Sequence, residues 1–208
     1  MSENSVSKGY NILKWGTLIT ALHINIMIPI GKLMVGVQII PAFIGYILIA
    51  MAINGMNKKG GKRYFDGLGR QSWYLLAMSV IQFAIGVIFG YGTVTGFDTM
   101  LTPTVILVVF LYELLLYSDV LNMTVRLYKD NNEIKSADKL RKDRITFIKM
   151  GLGLAVLHAL TMVPAFADKP FLPELLNYTS ITLTLLFKLW FSLIIQNVAR
   201  KNMEFKSE

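Results

Sequence analysis

Long apolar runs broken by short charged segments are what most constrains this chain, because about 20 apolar residues in a helix cross a hydrocarbon core about 30 Å thick. Six such runs follow one another, over about 12–28, 41–55, 73–91, 102–122, 147–166 and 177–198. With 54% of the residues hydrophobic and 16% charged, this is the composition of a membrane protein rather than of a soluble core. The expected fold class is all-α: one polytopic membrane domain over 1–208, a bundle of six transmembrane helices arranged as three hairpins. A cytoplasmic tail over 1–11 and a cytoplasmic loop over 123–146 complete it, and the short second run calls for tilt, with 32–40 as a connector in the interface.

Six crossings put both termini on one side, and the cations decide which. The tails, the second-to-third loop and the Arg126 to Arg144 segment carry 17 Lys and Arg, against Lys32 and Lys169 on the other side. Positive residues stay inside, so both termini are expected in the cytoplasm. The same placement accounts for the net charge of +8 without a nucleic-acid partner. Residues 126–144 read as helical extensions of the fourth and fifth runs around Asn131 and Asn132, resting on anionic headgroups, with a docking site for a protein as the sharper alternative. No cysteine is present, which excludes disulfides, thiolate metal sites and a cysteine nucleophile. The N-terminus lacks a basic cluster followed by a cleavage site and reads as a retained tail.

One stretch is written twice. Lys14, Gly16, Leu22, His23, Met27 and Pro29 match Lys149, Gly151, Leu157, His158, Met162 and Pro164 without a gap, and the two histidines are the only ones in the chain. In a helix the step from Lys to His rises roughly 13 Å, which brings each imidazole near the bilayer midplane. Both copies run outward from the cytoplasm, so the first and last hairpins are expected to be related by a parallel repeat.

The second run carries a resemblance. Ile39 to Ile49, with Pro41, Phe43, Ile44, Gly45 and Tyr46, resembles the Leu-Pro-Asp-Phe-Ile-Gly-Tyr-Ile-Leu-Ile signature of a loose group of small uncharacterised bacterial multi-pass membrane proteins. The likeness spans roughly the first 70 residues, and Ala42 stands where that group has an acid. It implies a bacterial cytoplasmic membrane and brings no function with it.

Ionisable groups inside hydrocarbon are costly, so their depth is informative. Glu113 lies eleven residues from Thr102 and Lys188 eleven from Asn177, each about 16 Å below the outer interface. His23, Gln82 and His158 reach the same layer from the cytoplasmic side, and Tyr117, one turn from Glu113, is placed to bond its carboxylate. The bland alternatives are a structural ion pair, with Lys188 snorkelling, and helix-to-helix hydrogen bonds from the histidines. Asp119 falls on another face of the same helix. Gly86 and Gly90 form a GxxxG, a close-packing signal that also serves homo-oligomers.

No Gly-rich phosphate loop, GxSxG, HExxH or Asp-rich diphosphate motif is present, and two histidines with one carboxylate lack metal-site spacing. No cofactor is called for, and an enzyme is the less favoured class. The expectation is a small transporter or permeation subunit using His23, Gln82, Glu113, Tyr117, His158 and Lys188, with a small anion or zwitterion as cargo. Its rival is a membrane accessory, an immunity or sensor subunit that acts by binding another membrane protein.

Overall fold

The computed structural model describes residues 4–22, 25–30, 33–38, 41–59, 64–65, 67–89, 98–163 and 172–204. Among them are six helices: α1 (Asn4–Ala21), α2 (Ala42–Lys59), α3 (Leu68–Phe89), α4 (Asp98–Asp130), α5 (Ile134–Leu160) and α6 (Leu172–Glu204). Each packs on its neighbours in sequence, and α6 returns to pack on α1, so the six close into a ring. Cross-helix contacts fix the directions. Asn54 meets Gly69 while Phe43 meets Phe83, so α2 and α3 are antiparallel. Likewise Glu133 meets Lys201 and His158 meets Ser180, which sets α5 antiparallel to α6. Ser7 reaches Ala199 near the start of α1, and Thr20 near its end reaches the level of Lys188 through Glu113. α1 and α5 therefore run the same way.

Among the described residues, two helical stretches, Thr104–Asp130 and Tyr178–Lys201, are long and apolar enough to cross a membrane; Ala42–Asn57 is apolar but shorter. Both long stretches end in a polar turn or tail. At the end of α4, Asn132 takes a φ of 62°, a left-handed conformation that Asn tolerates better than most residues. The Glu133 N–H then bonds back to the Tyr128 carbonyl at 2.8 Å, closing the helix end. The segment over 123–146 is thus helical on both sides of this one tight turn, as the reading of 126–144 as extensions of two helices around Asn131 and Asn132 expects.

Two other expectations are corrected. The first run does not stay helical to residue 28: α1 stops at Ala21, and an antiparallel hairpin of β1 (Asn25–Ile30) and β2 (Leu33–Gln38) replaces both its end and the connector. Isoleucine at 24, 26, 28 and 30 is the cause, since β-branched residues at every second position favour a strand over a helix. The register pairs Ile26 with Val37 and Ile30 with Leu33. Among the described residues, one hairpin thus stands between otherwise helical elements.

The tail over 1–11 is also not a tail, since helix begins at Asn4. Ser7, Tyr10, Leu13 and Thr17 share one buried face, and the Tyr10 hydroxyl bonds Thr124 at 2.7 Å. Farther along α1, Gly16 and Gly45 let two backbones touch. A Cβ on Gly16 would stand 2.8 Å from the Gly45 carbonyl oxygen, and one on Gly45 2.5 Å from that of Gly16.

Candidate functional site

The buried face of α4 runs through Val109, Glu113, Tyr117, Val120 and Thr124, and that of α6 through Ser180, Phe187, Lys188, Phe191 and Ile195. Helical spacing puts Glu113 and Lys188 inside with the apolar residues. There Lys188 Nζ lies 2.9 Å from Glu113 Oε2, with side-chain exposures of 7% and 4%. The other carboxylate oxygen, Oε1, accepts the Tyr117 hydroxyl at 2.7 Å. Thr20 Oγ1 stands 3.5 Å from the same oxygen but directs a shorter bond, 2.8 Å, to the Thr17 carbonyl. Tyr46 presents its ring face 5.8 Å from the ammonium. Four helices therefore meet at one charged pair: α4 and α6 supply the charges, α1 the threonines and α2 the tyrosine.

An aromatic wall stands beside this centre. Tyr117 stacks on Phe191 with centroids 4.0 Å apart, and Phe147 on Phe187 at 4.2 Å. Rigid rings hold the carboxylate and the ammonium at their level, and in this low-dielectric setting the attraction between them is far stronger than at a surface.

His158 does not join the pair. Its ring bonds Ser180 through Nδ1 at 2.8 Å and Thr184 through Nε2 at 3.1 Å, and packs 5.2 Å from Phe110. Thr184 precedes Lys188 by one turn and Ser180 by two, so the imidazole sits beyond the central layer instead of in it. The depth expected for it was counted from Lys149 as an interfacial residue. In the structure α5 begins fifteen residues earlier, at Ile134, and the residue level with the pair is Gly151, whose added Cβ would strike Leu114 and Phe187.

Gln82 is half-buried on α3, and among the described residues no hydrogen bond or ion pair joins it to Glu113 or Lys188. His23, the other histidine, and Gly90 lie outside the described residues, and Gly86 is described only as part of the α3 backbone. No group of three His, Asp or Glu among the described residues is placed to hold a metal. Asp119 faces α3 and accepts a bond from Gln71 Nε2 at 3.3 Å.

Reading by depth alone passed over Thr17, Thr20, Tyr46, Ser180 and Thr184. A signal for two of them was available: Ser180, Thr184, Lys188 and Ser192 recur at every fourth position of an apolar helix, which makes a polar stripe. No known family model matches the chain, and no curated protein or solved structure matches it significantly, so the site rests on its own geometry.

Proposed function

We propose that the chain is a multi-pass protein of a bacterial cytoplasmic membrane, with six spans and both termini cytoplasmic, acting as a small transporter or permeation subunit centred on Glu113 and Lys188. The observation that carries this reading is where the pair sits. The two helices that, among the described residues, are long and apolar enough to cross a bilayer are the two that supply its charges. Large apolar side chains such as Met51, Leu115, Val156 and Leu193 face outward, each more than half exposed. Apolar outside and charged inside is the distribution that lipid imposes.

The pair then works as a two-state element. A proton on Glu113, or an anionic group competing for Lys188, removes one partner and leaves the other charge buried, which costs about 3–5 kcal/mol. That is enough to favour a second packing of α6 against α4. A small anion, or the carboxylate of a zwitterion, is the cargo that Lys188 would hold while Glu113 is protonated.

The test is proton and anion flux in liposomes reconstituted with the purified chain, followed by an entrapped pH dye under an imposed gradient. Wild type should exceed protein-free liposomes, while Glu113→Gln and Lys188→Met, if folded by circular dichroism, should fall to the background. Equal flux in wild type and Glu113→Gln would sink the reading. The accessory reading is favoured by one observation, the exposed charges on either side of the α4–α5 turn, including Arg126, Lys135, Lys139 and Lys142. It predicts that charge reversal there abolishes function and that Glu113→Gln spares it.

A further inference from the structure

Between the first turns of α3 and the facing stretch of α4 lies a cleft of about 360 Å³ whose lining includes Arg70, Gln71, Tyr74, Asp119 and Met123. Its volume is within the range of small-molecule sites, roughly 300–1,000 Å³. The polar groups are of three kinds. Asp119 brings a carboxylate that accepts one bond, from Gln71 Nε2, and no cation pairs with it among the described residues. That bond also fixes the Gln71 amide, because turning it over would set oxygen against oxygen. Gln71 Oε1 is left buried with no hydrogen-bond partner among the described residues. Buried acceptors without a donor are rare enough to need a reason. Arg70, at the same cleft, is exposed and forms no ion pair among the described residues.

A carboxylate beside an unpartnered amide oxygen calls for a cation that donates N–H bonds, and a guanidinium next to them calls for an anion with paired oxygens. A lone metal ion would find one carboxylate and repulsion from Arg70. A molecule carrying both charges fits better. Trp73 and Tyr74 stand outward at this end of α3, 55% and 60% exposed, as aromatic residues do at the level of lipid headgroups.

We propose that this cleft binds a phosphoethanolamine group, with its ammonium on Asp119 and Gln71 and its phosphate on Arg70, whether borne by an aminophospholipid or free in solution. The proposal goes beyond the transport reading and does not need it, since the cleft shares no residue with the Glu113–Lys188 centre.

The test uses the full chain in detergent and follows its thermal unfolding midpoint with O-phosphoethanolamine, with phosphocholine, whose nitrogen has no N–H, and with inorganic phosphate. Phosphoethanolamine at ten times its Kd should raise the midpoint by about 3–6 °C, and the other two should not. Arg70→Gln, an exposed change that leaves the fold intact, should abolish the shift, and Asp119→Asn should weaken binding at least about tenfold, the loss of one charge-assisted bond. A parallel arm compares phosphatidylcholine vesicles with and without phosphatidylethanolamine. A response in that arm alone assigns the site to lipid, and a response in both assigns it to the headgroup itself. Equal shifts with phosphocholine, an undiminished shift in Arg70→Gln, or no response in either arm would overturn the proposal. Should Asp119→Asn not fold, Arg70→Gln and the choline control still decide.

Discussion

The two matching stretches, Lys14 to Pro29 and Lys149 to Pro164, start alike and finish differently. Both begin within a helix, both helices run in the same direction, and each glycine, Gly16 and Gly151, sits where a neighbouring helix leaves no room for a Cβ. Then they part. The α5 copy carries His158 inside the helix and ends at Leu160, whereas the α1 copy ends at Ala21 and pairs Asn25–Ile30 with Leu33–Gln38. After the shared histidine the second copy has Ala159 and Leu160, good helix formers, and the first has isoleucine at every second position. The lesson is that a shared helical start positions a segment, while the residues after it decide how far the helix runs on.

The glycines give the largest contrast to break. At Gly16 the obstacle is backbone, the Gly45 carbonyl oxygen 2.8 Å from the added Cβ, whereas at Gly151 it is the ends of the Leu114 and Phe187 side chains. Backbone cannot step aside and a leucine methyl can. Overpacking a tight contact costs about 1–3 kcal/mol, and replacing Gly by Ala within a helix returns about 1 kcal/mol. Gly16→Ala should therefore lose about 2 kcal/mol net, and Gly151→Ala less than about 1 kcal/mol. Denaturation midpoints in detergent measure both. Equal losses would mean that the α1–α2 contact is no closer than the one around α5.

A smaller effect tests the parting of the copies. Ile24→Ala, Asn25→Leu and Ile26→Thr together give the first copy the letters of the second. Helix α1 should lengthen by about one turn, and the amides of 33–38 should lose the hydrogen-exchange protection that strand pairing provides. The stability change should stay within about 1 kcal/mol, the span of strand propensities. Unaltered protection over 33–38 would show that the hairpin is imposed from elsewhere.

How much of this could be read from the letters differs from element to element. Glu113 and Lys188 each lie eleven residues into an apolar run, and that count suffices to bring them to one level, where the structure pairs them. The Glu113–Tyr117 bond follows from a four-residue step. His158 was harder, because its depth was counted from Lys149, and a helix that runs on through charged residues such as Lys135 and Lys139 does not mark which of its turns is level with the pair. The hairpin was hidden for another reason. Alternation shows when apolar and polar residues take turns, and in Asn25–Ile30 nearly every residue is apolar, so only the β-branching carries the signal. Bonds from Thr20, Tyr46 and Ser180 depend on how helices cross, which spacing along one helix does not specify.

The smallest expected effect concerns a contact that, among the described residues, belongs to the second copy. Glu133, just before α5, lies 2.7 Å from Lys201 near the end of α6, and Ser136 bonds both. Among the described residues, no such ion pair is seen in the first turns of α1. Hydrogen bonds from Lys201 and Ser136, with the Lys201 charge, hold the Glu133 carboxyl below the ordinary carboxylate range. The group is exposed, so its contribution is modest and screened by salt. A carboxyl whose pKa is lowered by folding stabilises the fold fully above its unfolded pKa and loses that contribution as pH falls through the folded value. Acidification below about pH 4 should therefore loosen the ends of α5 and α6 in wild type. The protection of the 133–137 amides, taken relative to their intrinsic exchange rates, should fall there, while that of the α1–α2 ends, where no such latch is seen among the described residues, should not follow it. In Glu133→Gln the protection of the 133–137 amides, taken relative to their intrinsic exchange rates, should stay constant across that pH range and in high salt. A variant that still loses protection in acid as wild type does would place the titrating group elsewhere, and the copies would then differ in their helix ends without differing in what fastens them.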